Sequence, residues 1–223
     1  MIDVNAYLEK LIPLLKTAFG GRLLYAGLQG SYMRGEPNEN SDVDVMIVLD
    51  LLTVRDMDVY REILKTVGNF DMSCGFICGR EELVRWTPLE ICQLKHTTKD
   101  LFGKLSDYLP EAKREDEINY VKFSLGNVYH LLCHRYIHAE REKSVGKLRF
   151  AGKDFFYLIQ NLYYLENGRF VITKKELKTL VRDDDREMLC LGELPDGYDF
   201  DRVYESVIRW CQNAFLRLDA LKA

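Results

Sequence analysis

The seven residues Val43 to Leu49, VDVMIVL, constrain the fold more than any other stretch. Apolar and β-branched side chains dominate the run, which makes it the clearest strand of the chain. Its mouth breaks the pattern, because Asp42 and Asp44 flank Val43 there. Residues i and i+2 of an extended chain point to the same side, about 7 Å apart. Two like charges so placed repel each other unless something positive lies between them. A divalent metal is the usual remedy.

The segments around this strand alternate between helix and strand. Asn5–Phe19 carries apolar residues at helical spacing despite Pro13, and Gly20-Gly21 ends it. RLLYAGL predicts a short buried strand leading into a Gly30-Ser31 turn. VRDMDVYREILKTV is amphipathic and helical, FDMSCGFIC (Phe70–Cys78) predicts a third strand weakened by Gly75, and REELVRW opens another helix. This is an α/β pattern over about the first hundred residues.

The pattern changes near Asp107. Glu115–Glu142 predicts one long helix opened by acidic residues, which suit a helix N-terminus. GKDFFYLIQNLYYLENG predicts a second, closed by Asn167-Gly168 as a left-handed cap. Thr173 with Glu176 predicts a capping box at the start of a third, and FDRVYESVIRWCQNAFLRLDAL a fourth. The reading is a domain of residues 1–106 followed by a helical bundle of residues 107–223, divided where Pro110 and a charged run interrupt the pattern.

Bulk properties narrow the function. A net charge of −4 argues against a broad grip on nucleic acid. No apolar run approaches the ~18 residues that span a bilayer. No secretory leader is evident, so the six cysteines, which include no CxxC pair, are expected to be reduced thiols of a cytoplasmic protein.

Gly30-Ser31, Arg34-Gly35, ten residues from Ser31 to Asp42, the Asp42-Val43-Asp44 pair and the apolar run to Leu49 together resemble the signature of the DNA polymerase β-like nucleotidyltransferase superfamily, in the form of its small bacterial members. The resemblance implies an α+β fold: a nucleotidyltransferase-type α/β domain with a small mixed sheet, then the helical bundle. It also implies Mg²⁺ held by Asp42 and Asp44, with ATP or another nucleoside triphosphate as substrate. The physics agrees: Gly30 permits close approach of the backbone to a triphosphate, and Ser31 and the following amides can donate to phosphate oxygens. Arg34 could touch phosphate or pair with Glu36 or Asp42.

Many members of the superfamily carry a third acid on the next strand. Asp71 is the carboxylate available there, as a metal ligand or as a strand-edge residue; nearer the middle stand Cys74-Gly75. Members similar to kanamycin nucleotidyltransferase take a general base from the helical domain instead. Here His130, His134 and His138 fall on one helix face, where His130 and His134 are candidates for the base and a polar surface stripe is the alternative. Lys147, Lys153, Lys174 and Lys175 could hold a triphosphate or be solvated. Phe155, Phe156, Tyr157, Tyr163 and Tyr164 read as bundle core rather than a stacking platform.

The resemblance implies transfer of a nucleoside monophosphate, AMP from ATP, to a hydroxyl of a small molecule such as an antibiotic, or of a protein, and it is compatible with a homodimer. The alternative is a non-catalytic nucleotide-binding or regulatory module of the same fold.

Overall fold

The computed structural model describes residues 1–221, apart from the side chains of residues 88, 89 and 142. It divides into two compact units, one of Met1–Ala112 and one from Lys113 onward.

The first unit runs α1 (Val4–Phe19), β1 (Leu23–Gln29), α2 (Gly30–Arg34), β2 (Val43–Leu49), α3 (Val54–Val67), β3 (Ser73–Gly79), α4 (Arg80–Val84), α5 (Pro88–Thr97) and β4 (Lys99–Phe102). The strands form one mixed sheet in the order β3-β2-β1-β4. β1 is antiparallel to β2 and β4, whereas β2 and β3 are parallel. Strand parity sorts the side chains of β2. Val43, Val45, Ile47 and Leu49 pack with Tyr7, Leu11 and Leu15 of α1 and Ile63 and Val67 of α3. Met46 and Val48 turn to the opposite face, with Tyr25, Cys78, Leu83 and Leu105. Asp44 shares the parity of Met46 and Val48, so it stands at the end of that second face.

Both flanking helices are capped by side chains. Asp3 accepts from the Asn5 and Ala6 amides at the start of α1, each at 3.1 Å. Thr53 and Asp56 form a reciprocal capping box on α3. Arg22 reaches both Asp56 oxygens at 2.9 and 3.0 Å, so the guanidinium, together with the Thr53 donors, holds this carboxyl far below the usual carboxylate range. The third strand begins at Ser73 rather than Phe70; Phe70–Met72 form a single 3₁₀ turn.

The second unit consists of α6 (Arg114–His138), α7 (Arg141–Phe150), α8 (Gly152–Asn167), α9 (Lys174–Leu180), α10 (Asp183–Leu189) and α11 (Phe200–Ala220). The long helix expected over Glu115–Glu142 stops at His138, because Ala139 and Glu140 turn extended before α7 begins. Phe155, Ile159 and Leu162 of α8, Val121 and Leu125 of α6 and Val207, Trp210 and Leu218 of α11 meet in one core. Gly168 caps α8 at φ +71°. Thr173 caps α9 through the Glu176 amide at 3.2 Å, while the Glu176 carboxylate pairs with Arg169 instead of closing a capping box. Beneath these helices lies a buried polar cluster. Arg217 donates to Asp185 at 2.7 and 3.0 Å and to Glu166 at 2.8 and 2.9 Å, and the Trp210 indole donates to Asp185 at 2.7 Å. No helix among the described residues is long and apolar enough to cross a membrane.

Candidate active site

The candidate site is one end of the sheet in the first unit. The chain leaves β1 at Gln29, turns through Gly30 into the short α2, and re-enters the sheet at Asp42. Gln29, Asp44 and Cys74 are register partners across β1, β2 and β3. Three adjacent strands therefore present one row of side chains, on the face and at the end where the sequence placed the acid pair. Asp44 is half-buried and Asp42, just ahead of the strand, is exposed.

Gly30 fits against this row for a physical reason. Its φ is +69°, a conformation costly for side chains, and a Cβ built there would lie 1.8 Å from an oxygen of the Asp44 carboxylate. Gly30→Ala is accordingly expected to displace Asp44 and weaken metal–nucleotide binding by about a hundredfold. Titration calorimetry on a variant with an unchanged circular dichroism spectrum checks it. Ser31 is half-buried in the first turn of α2, and Arg34, also half-buried, ends that helix.

The remaining neighbours of Asp44 differ in character. The Gln29 amide donates to Thr98 Oγ1 at 2.8 Å and to the Met46 sulfur at 3.8 Å. The Cys74 thiol is exposed, and as the register partner of Asp44 it stands beside that carboxylate on the same face. Partial burial, then Asp44 and Asp42, hold this thiol above its usual pKa and so protonated near neutral pH.

Asp71 is exposed in the 3₁₀ turn ahead of β3, upstream of the row. No three His, Cys, Asp or Glu side chains among the described residues form a ready metal-binding group. The structure brings Gly30, Asp44 and the adjoining Asp42 together at one end of the sheet, with Asp71 in the turn ahead of β3. The two carboxylates are hard oxygen donors of the kind Mg²⁺ takes, with other positions left to water and phosphate. The donor set fits that ion.

The histidines belong to the second unit. His130, His134 and His138 are exposed on α6, with ring centroids 6.3 and 4.7 Å apart in succession. Phe155 and Phe156 are core residues, and Phe155 meets Trp210 edge-on at 5.1 Å. Lys174 pairs with Glu193 at 3.4 Å. All six cysteines are free. Sequence reasoning missed Cys74 as a neighbour of Asp44; its only signal is strand parity, which becomes usable once β3 is known to run parallel to β2.

The nucleotidyltransferase domain family matches residues 8–143. Among solved structures, spectinomycin adenyltransferase AAD(9) from Enterococcus faecialis, crystallised with ATP and spectinomycin, aligns with a TM-score of 0.60 at 14% identity. The alignment covers 96% of this chain and 99% of that one. A toxin-antitoxin crystallised with AMP-PNP aligns at 24% identity over 58% of this chain and 93% of its own, with a TM-score of 0.33. The toxin-antitoxin MntA-HepT aligns at 17% identity over 60% and 93%, also with a TM-score of 0.33. No curated protein matches the chain.

Proposed function

This chain belongs to the nucleotidyltransferase domain family, and from that premise we propose that it transfers AMP from ATP to a hydroxyl of a small molecule or of a protein. The observation that carries the reading is the Asp44 carboxylate set against a glycine whose Cβ would collide with it. Asp42 and Asp44 would hold Mg²⁺, which when bound supplies charge neutralisation to a triphosphate and helps align in-line attack at its α-phosphorus.

The chain's own residues do the rest. Gly30, lacking a Cβ, lets the Asp44 carboxylate lie against the backbone of the turn. Ser31 offers a hydroxyl donor, and Arg34 a guanidinium, in the same turn. His130 and His134, exposed on α6, are the proposed acceptors of the hydroxyl proton. A small-molecule acceptor is supported by the similar fold crystallised with ATP and spectinomycin. An antibiotic hydroxyl is therefore the first acceptor class to try.

The test is pyrophosphate release from ATP and Mg²⁺ against a panel of aminoglycoside, spectinomycin-like and lincosamide acceptors. The expected result is acceptor-dependent release that falls in the His130→Ala/His134→Ala protein. A second reading, a nucleotide-binding module without catalysis, is favoured by one observation: a thiol, not a third carboxylate, faces Asp44 from β3. Calorimetric binding of ATP with no pyrophosphate released from it in the presence of any acceptor would support that reading instead.

A further inference from the structure

We propose that Cys74 is a positioning residue for Asp44: its thiol donates to the Asp44 carboxylate, fixing one oxygen so that the other stays presented for a cation. This rests on the reading of Asp42 and Asp44 as a metal-holding pair.

Three features support it. First, Cys74 is the direct register partner of Asp44 in a parallel ladder, so both side chains leave the sheet on the same face. Second, the position of Cys74 is tightly set. Gly75, next in the chain, has φ +152°, and a Cβ there would lie 2.1 Å from the Val45 carbonyl oxygen, so β3 is seated against β2 as only glycine allows. Third, the partner on the other flank is engaged elsewhere. The Gln29 amide donates to Thr98 and Met46. The Asp44 carboxylate thus stands between Gly30, against which it lies, and Cys74 on β3. A carboxylate fixed before a cation arrives loses less entropy on binding it.

A neutral donor of this kind contributes modestly. The full-length protein is titrated with Mn²⁺, and free ion is read by electron paramagnetic resonance, for wild type, Cys74→Val, Cys74→Ser and Asp44→Asn. Val is apolar, about a methyl group larger, and lacks the donor; Ser keeps a donor. Cys74→Val is expected to weaken Mn²⁺ about threefold to tenfold with little change in thermal midpoint, and Cys74→Ser to stay within about twofold of wild type. Mn²⁺ bound equally well by the Val variant overturns the positioning role while leaving the metal pair standing. Equal weakening by Val and Ser overturns it as well, because packing would then be the cause. Absence of Mn²⁺ binding by wild type, with and without ATP, removes the metal pair itself and the positioning role along with it.

Discussion

Asp44→Asn is expected to lower acceptor-dependent pyrophosphate release by about a hundredfold or more. The substitution keeps the shape of the side chain and removes its charge. Two unit charges about 4 Å apart interact by about 4 kcal/mol at the effective dielectric of a protein surface. Water recovers part of that, and roughly a hundredfold is what remains after the discount. Asp44 is half-buried at the end of the sheet, and the apolar residues that hold β2 are Val45 to Leu49. The variant should therefore fold, which a circular dichroism spectrum and thermal midpoint like those of wild type would verify. Steady-state assays at several Mg²⁺ concentrations separate the causes. A lost ligand shows as a higher Mg²⁺ requirement and a lower kcat, whereas a misfolded fraction lowers the rate at every concentration alike. Asp71→Asn in the same assay tells whether a third carboxylate joins the pair. A loss as large as that of Asp44→Asn assigns Asp71 to the metal; a loss of less than about threefold leaves it at the surface. Wild-type rates in Asp44→Asn would discard the acid pair as the site.

The parts of this site that are local in sequence were legible there. Asp42-Val43-Asp44 could be read because strand parity is a property of neighbours, and Gly30-Ser31 because a turn before a strand has its own chemistry. The mixed sheet follows from the resemblance those residues carry and the helical second half from its own apolar spacing and caps, and the fold agrees with both. Illegible were features set by distant pairing. Nothing within Phe70–Cys78 says that β3 starts at Ser73 and lies parallel to β2, so nothing there placed Cys74 beside Asp44. β4 is four residues long and has too little pattern to be seen before its pairing with β1 is known. The break after His138 follows two residues with extended backbone, for which the composition around Ala139 gave no breaker. The run Asp183-Asp184-Asp185 reads as a solvated charged face, yet its third member is buried, because its partners stand 25 and 32 positions away at Trp210 and Arg217.

That buried carboxylate carries the second large expectation. Arg217→Met should destabilise the helical unit by about 3–5 kcal/mol, because it strands a charge that burial has already removed from water. Side-chain exposure is 2% at Asp185, 12% at Arg217 and 18% at Glu166. After the substitution, Asp185 keeps the indole of Trp210 as a donor but no cation, while Glu166 retains the more distant Arg182 at 3.7 Å. Asp185→Asn is the milder change: its amide oxygen can still accept from Trp210, and Arg217 keeps both bonds to Glu166, so about 1–2 kcal/mol is expected. The pair Arg217→Met/Asp185→Asn should then cost less than the sum of the two, since the stranded charge has gone. Urea unfolding followed by the fluorescence of Trp210, in a Trp86→Phe background, reports on this unit. A cost for the pair equal to the sum of the two single costs would mean that lost packing of the arginine stem, rather than an uncompensated carboxylate, is what the substitution exposes.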